Sequence, residues 1–363
     1  MTQGNMSSIL IFPNGFMMLM EAIMIFQHLY GKYAKRMIMI DIDYSVIIRT
    51  TGKAHEKYQG LLNSIKRLTP LPKEVIVVLP EGFSLPDERL GYETYYFSPK
   101  GMVIQRLTGI RNCKSKYALI CDDDVVFDEN FVQKLYRPIE QGLCKVSIAP
   151  LYSFLPRKGI NTIVCALMAN AVPTLFHKKR YITVLRSTGY SYNRHLDCKN
   201  TKYYVTQSAP WTCFFGEVQT IRNIKLEDEK WLDMHGYSAM DDQTMFYKAW
   251  LQGEKTLTVS DAQYIHLDGK TSRKNNRNPV FYSCGFNRVV FWHRFIYKQE
   301  KKRIKKGWSF VCFKYYLFWL FLFDVFDVLR KRLSMDEFKV KRSGYREGWK
   351  YLETSEYKNL PDI

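Results

Sequence analysis

The stretch YALICDDDVVFDEN, residues 117–130, changes abruptly from an apolar run to three consecutive acids, Asp122, Asp123 and Asp124. A short apolar run of this kind predicts a buried strand. Three adjacent carboxylates repel one another and contribute nothing to the packing of a core strand. We therefore expect the acids to mark the end of the strand and to hold a ligand there.

The segments around this stretch alternate between apolar runs and helical spacing. Strands are predicted at 44–50, 72–82 and 117–124, and helices at 58–68, 103–113 and 129–139. Such alternation with short links predicts an α/β fold, with a doubly wound, mixed but mainly parallel sheet and helices on both faces. Ligands bind beyond the carboxyl ends of the strands in such sheets, which is where the three acids fall.

The spacing of Asp122 and Asp124 is suited to a metal ion. Residues two apart at a strand end project on one side, with Asp123 pointing elsewhere. Such a pair can hold Mn²⁺ or Mg²⁺ and leave positions for water and a diphosphate. A solvated acidic turn or a helix N-cap can have the same sequence, so the three acids alone leave both interpretations open.

A second acidic pair, Asp241 and Asp242, begins a segment of helical spacing that ends at Gly253. Capping and the helix dipole favour acids at this position without any further role. The alternative is a general base at a helix N-terminus, facing the first acids across a cleft. His266 follows another short strand; histidine is a metal ligand, although a lone histidine is more often simply packed or exposed.

Together these segments resemble glycosyltransferase family 2, the inverting type with a GT-A fold, and its bacterial surface-polysaccharide members in particular. The resemblance covers roughly residues 43–270 and is carried by the order and spacing of four stretches: SVIIRTTGK, EVIVVLPEG, QRLTGIRNCKSKYALICDDDV and DDQTMFYKAWLQG. The second strand ends in Leu79-Pro80-Glu81, where the family usually has acids. A Gln-x-x-Arg-Trp motif of processive members is absent, which favours transfer of a single sugar.

The resemblance implies transfer of one sugar, with inversion, from a nucleotide-diphospho-sugar donor to a hydroxyl of a glycan or a lipid-linked saccharide. Asp242, with Asp241 beside it, would be the catalytic base. Asp124, with Asp122 and His266, would hold Mn²⁺ or Mg²⁺ between the enzyme and the two donor phosphates.

The remaining implied roles concern the two substrates. The residues expected at the donor are Arg49, Glu81, Arg106, Asp122 and Asp123. The aromatic residues considered as a platform for the acceptor sugar are Trp211, Trp231 and Tyr237, although each would equally suit the core.

The chain of 363 residues has a formal net charge of +19, which implies an anionic partner. We divide it into an N-terminal apolar segment at 1–40, a GT-A-like catalytic domain at 41–275 and a basic, aromatic, membrane-associating extension at 276–363. The first segment is interpreted as a packed or interfacial helix rather than a signal peptide. Eight cysteines without a C-x-x-C pair predict reduced thiols in a cytoplasmic protein.

The segment WSFVCFKYYLFWLFLFDVFDVL, residues 308–329, is apolar around the whole helix between Tyr315 and Phe323. Basic clusters flank it on both sides, whereas a spanning helix normally carries its positive excess on one side. We therefore expect it to lie in the cytoplasmic leaflet against anionic lipid, which makes the protein peripheral on the inner face of the cell membrane. Packing on the catalytic domain or in a dimer is the alternative.

Two other functions compete with sugar transfer. MIMIDIDYSV, residues 37–46, resembles the start of a haloacid-dehalogenase-like phosphatase, with Asp41 as nucleophile and Asp43 as acid and base. A strand follows almost at once, however, where that fold needs a loop. The net charge also suits a non-enzymatic basic protein that binds membrane or nucleic acid. No nucleic-acid-binding motif is present, so we expect no nucleic-acid partner.

Overall fold

The computed structural model describes residues 41–151, 163–164, 167–169, 180–193, 196, 200–267 and 277–363. The predicted apolar helix at 1–40 lies outside the described residues. Residues 42–363 form one compact unit, so the helical extension packs on the same body as the sheet.

The strands in the described residues are β1 Tyr44–Arg49, β2 Glu74–Pro80, β3 Thr94–Ser98, β4 Tyr117–Asp122, β5 Val125–Phe127, β6 Val146–Ile148, β7 Ile182–Val184, β8 Ser191–Asn193, β9 Tyr203–Thr206, β10 Cys213–Glu217, β11 Thr256–Val259 and β12 Tyr264–His266. Eight of them form a central sheet in the order β3-β2-β1-β4-β10-β6-β11-β9. Two small sheets pair β5 with β12 and β7 with β8.

The helices are α1 Glu56–Ile65, α2 Met102–Asn112, α3 Phe131–Glu140, α4 Val218–Asn223, α5 Asp241–Leu251, α6 Asn278–Phe291, α7 Arg303–Leu329, α8 Met335–Tyr351 and α9 Ser355–Lys358. A π-helical turn at Trp292–Tyr297 continues α6. The three helices predicted before residue 140 are present, with ends that differ by one to three residues.

The central sheet is mixed and mainly parallel, which confirms the predicted fold class. Strands β3, β2, β1 and β4 run parallel, and β6 is parallel to β11. Strand β10 lies antiparallel between β4 and β6, and β9 is antiparallel to β11. The prediction missed edge strand β3, because its half-exposed residues, TYYFS, lack the apolar run of the buried strands.

Helices cover both faces of the sheet. On one face Ile47 packs against α2, where Gly109 has no side chain and a Cβ would overlap Ile47. Ile148 of β6 belongs to the same apolar cluster. Because side chains alternate along a strand, the neighbouring Ser147 points to the opposite face, where its hydroxyl donates to the Leu135 carbonyl of α3 at 2.7 Å.

Helices α6 and α8 of the extension touch through glycines. A Cβ at Gly285 would lie 2.6 Å from the Lys341 carbonyl oxygen, and one at Gly344 would overlap the Tyr282 carbonyl oxygen. Without side chains at these positions the two backbones come into direct contact. Helix α6 in turn holds the loop before α5, since the Asn287 amide donates to the Ala239 carbonyl at 2.7 Å.

A buried ionic network joins the extension to α5. The Glu229 carboxylate accepts from Lys248 of α5 at 2.8 Å and from the Arg294 Nε at 2.6 Å. All three side chains are almost completely buried. The folded state keeps these charges out of water only because they are paired, so α5 and the extension are held in one arrangement.

Helix α7 packs on the protein along one face and leaves an apolar face exposed. Phe313 stacks on Trp292 with ring centroids 4.2 Å apart. The exposed side chains recur every three or four residues and include Trp308, Val311, Tyr315, Phe318, Leu322 and Phe326. By length and composition, this is the one helix in the described residues that meets the requirements of a membrane span.

Replacing Gly344 by Ala should destabilise the protein by about 1–3 kcal/mol, because the added methyl meets the backbone of Tyr282 rather than a side chain that can move. The free energy of unfolding, measured by urea denaturation, tests this. Gly307→Ala is the matched control: it lies in α7 with open space around it and should be neutral or stabilising by up to about 1 kcal/mol. Equal effects of the two substitutions would contradict the close contact.

Candidate active site

The site begins at the carboxyl edge of β1 and β4. These parallel strands pair Arg49 with Asp122 as register partners, so both side chains leave the sheet at the same edge. The Arg49 guanidinium contacts Asp122 through Nη2 at 3.0 Å and Nε at 3.1 Å. Strand β4 ends at Asp122, as the change from apolar to acidic residues predicted.

Arg106 of α2 brings the two predicted acidic groups together. Its Nη2 donates to Asp122 at 2.9 Å, and its Nη1 donates to Asp241 at 2.8 Å. The side chain is only 2% exposed, and its guanidinium lies 4.5 Å from the centre of the Trp211 ring. The start of α5 is thereby held at the strand edge by a guanidinium that bridges two carboxylates.

Asp123 has a different hydrogen-bond partner from the acids on either side of it. Its carboxylate accepts a hydrogen bond of 2.6 Å from the Thr50 hydroxyl. Burial raises the pKa of Asp123 to about 6, and the Thr50 hydroxyl and Arg49 oppose that shift. The carboxyl group is thus fixed beside β1, at the edge where Arg49 lies.

Asp124 lies beside His266, because β5 and β12 form an antiparallel pair immediately after the acids. The Leu267 amide donates to the Asp124 carbonyl at 2.8 Å, and the His266 Nε2 is 3.2 Å from the Asp124 carboxylate. Two neighbouring ligands of an octahedral Mg²⁺, each about 2.1 Å from the ion, are about 3 Å apart. The pair therefore fits one carboxylate and one imidazole ligand of a small divalent ion.

The full predicted ligand set is not assembled. Within the described residues, no three His, Cys, Asp or Glu side chains are grouped as a metal site. Asp122 points to Arg49 and Arg106 instead, so a metal would rest on Asp124 and His266 and on ligands from water and substrate.

Asp241 and Asp242 open α5, and each also accepts an amide hydrogen bond at the helix start. Asp241 accepts from the Asp242 amide at 2.8 Å, and Asp242 from the Gln243 amide at 2.6 Å. Burial raises the pKa of Asp241, against the effect of Arg106. Burial and the adjacent Asp241 raise the pKa of Asp242 to about 7. A carboxylate with this pKa, and partly exposed, suits proton transfer near neutral pH.

The three aromatic candidates have different environments. Trp211 is buried against Arg106 and Phe214. Trp231 is completely buried, and its indole donates to Glu229 at 2.9 Å, so it belongs to the core and offers no ring to a sugar. Tyr237 is half-buried beside the start of α5, where burial and Asp241 raise its pKa to about 12. Tyr237 is the aromatic candidate that substrate can reach.

Glu81 lies at the end of β2, where its side chain is exposed and its amide donates to the Ser98 carbonyl at 2.8 Å. The predicted donor contact at this position stays a prediction. The phosphatase alternative made Asp41 the nucleophile and Asp43 the acid and base of a different active site. Both precede β1 and lie at the opposite, amino edge of the sheet, where Asp43 contacts Lys73 at 3.3 Å.

Two positioning residues escaped the sequence analysis. The Gln105 amide donates to the Thr50 and Val78 carbonyls, both at 3.1 Å, and joins α2 to the ends of β1 and β2. Asp233 accepts from the Ile104 amide at 2.9 Å and from the Ser238 hydroxyl, and so caps α2 from the loop before α5. The available signal in the sequence was Gly101: a glycine at the start of α2 has no side chain to cap the helix, so the cap comes from another residue.

The model of glycosyl transferase family 2 matches residues 91–195 of the chain. The predicted resemblance to this family is confirmed over these residues. The matched family 2 region contains β3, α2 with Arg106, and the acids Asp122 to Asp124. The second acidic pair and His266 lie beyond it. No curated protein matches the chain.

Solved structures that the chain matches include GalNAc-T7 with UDP, GalNAc and Mn²⁺, at 15% identity over 76% of this chain, with a TM-score of 0.48. The aligned part spans 56% of that enzyme's length. S. aureus TarS 1–349 matches at 14% identity over 85% of this chain and 81% of its own, with a TM-score of 0.46. Its complex with UDP-GlcNAc gives 14% identity, coverage of 85% and 80%, and a TM-score of 0.45.

Arg106→Gln should destabilise the protein by about 3–5 kcal/mol at pH 8, because it leaves buried carboxylates without their cation. Loss of Arg106 also raises the pKa of Asp241 further, so the ionised folded form is disfavoured above the unfolded pKa of about 3.9. The loss of stability relative to wild type should therefore be smaller at pH 5 than at pH 8.

The control for this prediction is Arg222→Gln. Arg222 donates to the backbone carbonyls of Ile110, Arg111 and Cys113, which do not titrate. Its loss should cost the same at both pH values, as measured by urea denaturation. A pH-independent loss in Arg106→Gln as well would show that its carboxylate contacts are not what stabilises the site.

Proposed function

We propose that this protein is an inverting glycosyltransferase that moves one sugar from a nucleotide-diphospho-sugar donor to an acceptor hydroxyl. The observation that carries the proposal is the bridge from Asp122 through Arg106 to Asp241, which holds the first residues of α5 at the acidic edge of the family 2 region. The carboxylates proposed for the donor side and the base proposed for the acceptor side thus lie at one edge of the sheet.

The donor side consists of the strand-end acids with Arg49. Asp124 and His266 would hold Mn²⁺ or Mg²⁺, and a divalent ion bound there would offset the charge that develops on the departing nucleoside diphosphate. Arg49 and Arg106 keep Asp122 in place and supply positive charge at the same edge. Asp123, tied to Thr50, fixes the neighbouring backbone.

The acceptor side begins at Asp242. Its carboxylate takes the proton of the acceptor hydroxyl, and the oxygen attacks the anomeric carbon from the face opposite the diphosphate. The bond from that carbon to the diphosphate oxygen breaks, so a single displacement inverts the configuration. Asp241 does not compete for the proton, because it is held by Arg106. Tyr237 beside these acids is the candidate contact for the acceptor sugar.

Two substitutions separate the roles of the acids. Asp242→Asn should retain Mn²⁺-dependent donor binding but reduce transfer by about 10²- to 10⁴-fold, since Asn still accepts the amide bond at the helix start and cannot accept a proton. Asp124→Asn should instead abolish the Mn²⁺ dependence of donor binding. Calorimetry with a panel of nucleotide sugars and the release of nucleoside diphosphate measure the two effects.

The pH dependence adds a second readout for the base. Transfer by wild type should rise as the pH passes about 7, because Asp242 must lose its proton to act as a base. Turnover of Asp242→Asn within a few-fold of wild type would leave only the capping role. If Asp241→Asn were inactive while Asp242→Asn was active, the base would be Asp241 rather than Asp242.

We further propose that the protein is cytoplasmic and lies on the inner face of the membrane through α7. One side of this helix is occupied by the protein along its length, from Ser309 to Asp324, so the helix lies flat on the body. The exposed apolar face is then available to lipid on one side alone, as for an interfacial helix. The basic residues at its two ends, between Lys301 and Lys306 at the start and from Arg330 to Arg332 after it, would face anionic head groups.

Vesicle sedimentation tests this arrangement. The protein should sediment with vesicles that contain anionic lipid at low salt and be at least partly released by high salt or alkaline carbonate. Phe318→Asp, in the middle of the exposed face, should weaken the binding, whereas Phe321→Leu, a conservative change on the same helix, should not. Wild-type protein that stays in the supernatant as a dimer would show that the apolar face is covered by a second copy.

A further inference from the structure

Three basic side chains converge where α6, α7 and α8 meet, and we refer to Arg288, Lys341 and Arg342 as the cation cluster. Lys341 lies 2.6 Å from the Asp324 carboxylate of α7, and Arg342 contacts the other oxygen of that group. Arg288 donates to the Tyr316 hydroxyl at 2.9 Å, a neutral partner. Among the described residues, the three cations are thus opposed by one carboxylate, which contacts two of them.

The glycine contacts between α6 and α8 bring the cluster together. A Cβ on Gly285 would lie 2.8 Å from the Tyr345 amide nitrogen, so Arg288, one turn later on α6, runs alongside Tyr345. From α8, the Arg342 guanidinium lies 4.5 Å from the Tyr345 ring centre. Both arginines therefore border the same tyrosine and form one positively charged group.

The cluster is short of acceptors. Within the described residues, the Nε groups of Arg288 and Arg342 are buried and have no hydrogen-bond partner. A buried donor without an acceptor costs about 1–3 kcal/mol, and more when it is charged. The side chains of Lys341 and Arg342 are 17% and 25% exposed, so part of each reaches the surface, where a ligand could contact it. An oxyanion with several acceptor oxygens would pair with the exposed charged groups and offset the excess positive charge.

The position of the cluster indicates which oxyanion it would meet. The Arg342 guanidinium lies 5.7 Å from the ring centre of Phe321, on the exposed apolar face of α7. Toward the active site, Tyr316 packs against Tyr190 at 5.6 Å, and the carbonyl of the adjacent Gly189 accepts from Gln243 at 2.6 Å. Gln243 directly follows Asp242, so the cluster stands between the apolar face and the base.

We infer that the cation cluster binds the phosphate or diphosphate group of a lipid-linked acceptor. The lipid chain would lie along the apolar face of α7, and the group beyond the phosphate would extend toward Asp242. The inference rests on the proposed function, because only a transferase has an acceptor. The binding of a lipid phosphate can nevertheless be measured without transfer. Free diphosphate has the same oxyanion chemistry and lacks the apolar part.

Calorimetry of the full chain in nonionic detergent tests this, with farnesyl diphosphate, inorganic diphosphate and farnesol as probes. EDTA is present so that a metal-dependent donor site does not contribute. Farnesyl diphosphate should bind at least tenfold more tightly than either other probe. Arg288→Gln and Arg342→Gln should each weaken it at least tenfold. Lys339→Gln, an exposed charge on the same helix as Arg342, should leave it within twofold.

Several outcomes would overturn the inference. They are an equal effect of Lys339→Gln, unchanged binding in both arginine variants, and a free diphosphate that binds as tightly as the lipid. Arg288→Lys keeps the charge, so it provides a folded comparison if the Gln variants unfold; it should weaken binding less than tenfold but measurably, because the paired guanidinium donors are lost.

Asp242→Asn separates this inference from the proposed function. If Asp242→Asn loses transfer, and substitutions in the cation cluster leave farnesyl diphosphate binding unchanged, the inference fails and the proposed function stands. If no nucleotide sugar is used, yet binding follows the cluster, the function fails and the lipid-phosphate site stands.

Discussion

The arrangement of the active site depends on a single buried guanidinium. Arg106 stands between Asp122 at the end of β4 and Asp241 at the start of α5, and its two hydrogen-bonding edges fix the separation of these elements. A lysine could contact the carboxylates only through a single ammonium group, whereas the planar guanidinium of arginine donates to both from two sides. Because the side chain is buried, its positive charge depends on both carboxylates being in place; Asp241 depends on it more than Asp122, which also contacts Arg49. The contact is therefore both a structural joint and the electrostatic centre of the site.

A second buried ionic group holds the other end of the same helix. Lys248 meets Glu229 and, through it, Arg294 at the end of α6, so α5 is fixed at its first turn by the sheet and further along by the extension. The extension also holds the preceding loop through Asn287. Residues 277–363 thus form part of the framework around the acids. The apolar face of α7 and the candidate active site consequently belong to one compact unit.

The sequence sufficed for features that depend on neighbouring residues. An apolar run that ends in acids located Asp122 at a strand end, and helical spacing located α2 and α5. Contacts between distant residues had no such signal: Arg106 and Asp241 are 135 positions apart, and Asp233 caps α2 from 129 positions away. The sequence did not distinguish Trp231, whose ring is buried, from an aromatic ring that a sugar could reach. The metal set was overestimated because spacing could not show that Asp122 is taken by two arginines.

The charge of the site has a consequence for donor binding. Five carboxylates, at positions 122 to 124 and 241 to 242, face two guanidinium groups, an excess of three negative charges among the described residues when all are ionised. The raised pKa values of Asp123 and Asp242 reflect this crowding together with burial. A doubly charged diphosphate approaching such an edge would be repelled. In the proposed reaction this edge would therefore favour a donor whose diphosphate charge is offset, which is what a divalent ion held by Asp124 and His266 would supply.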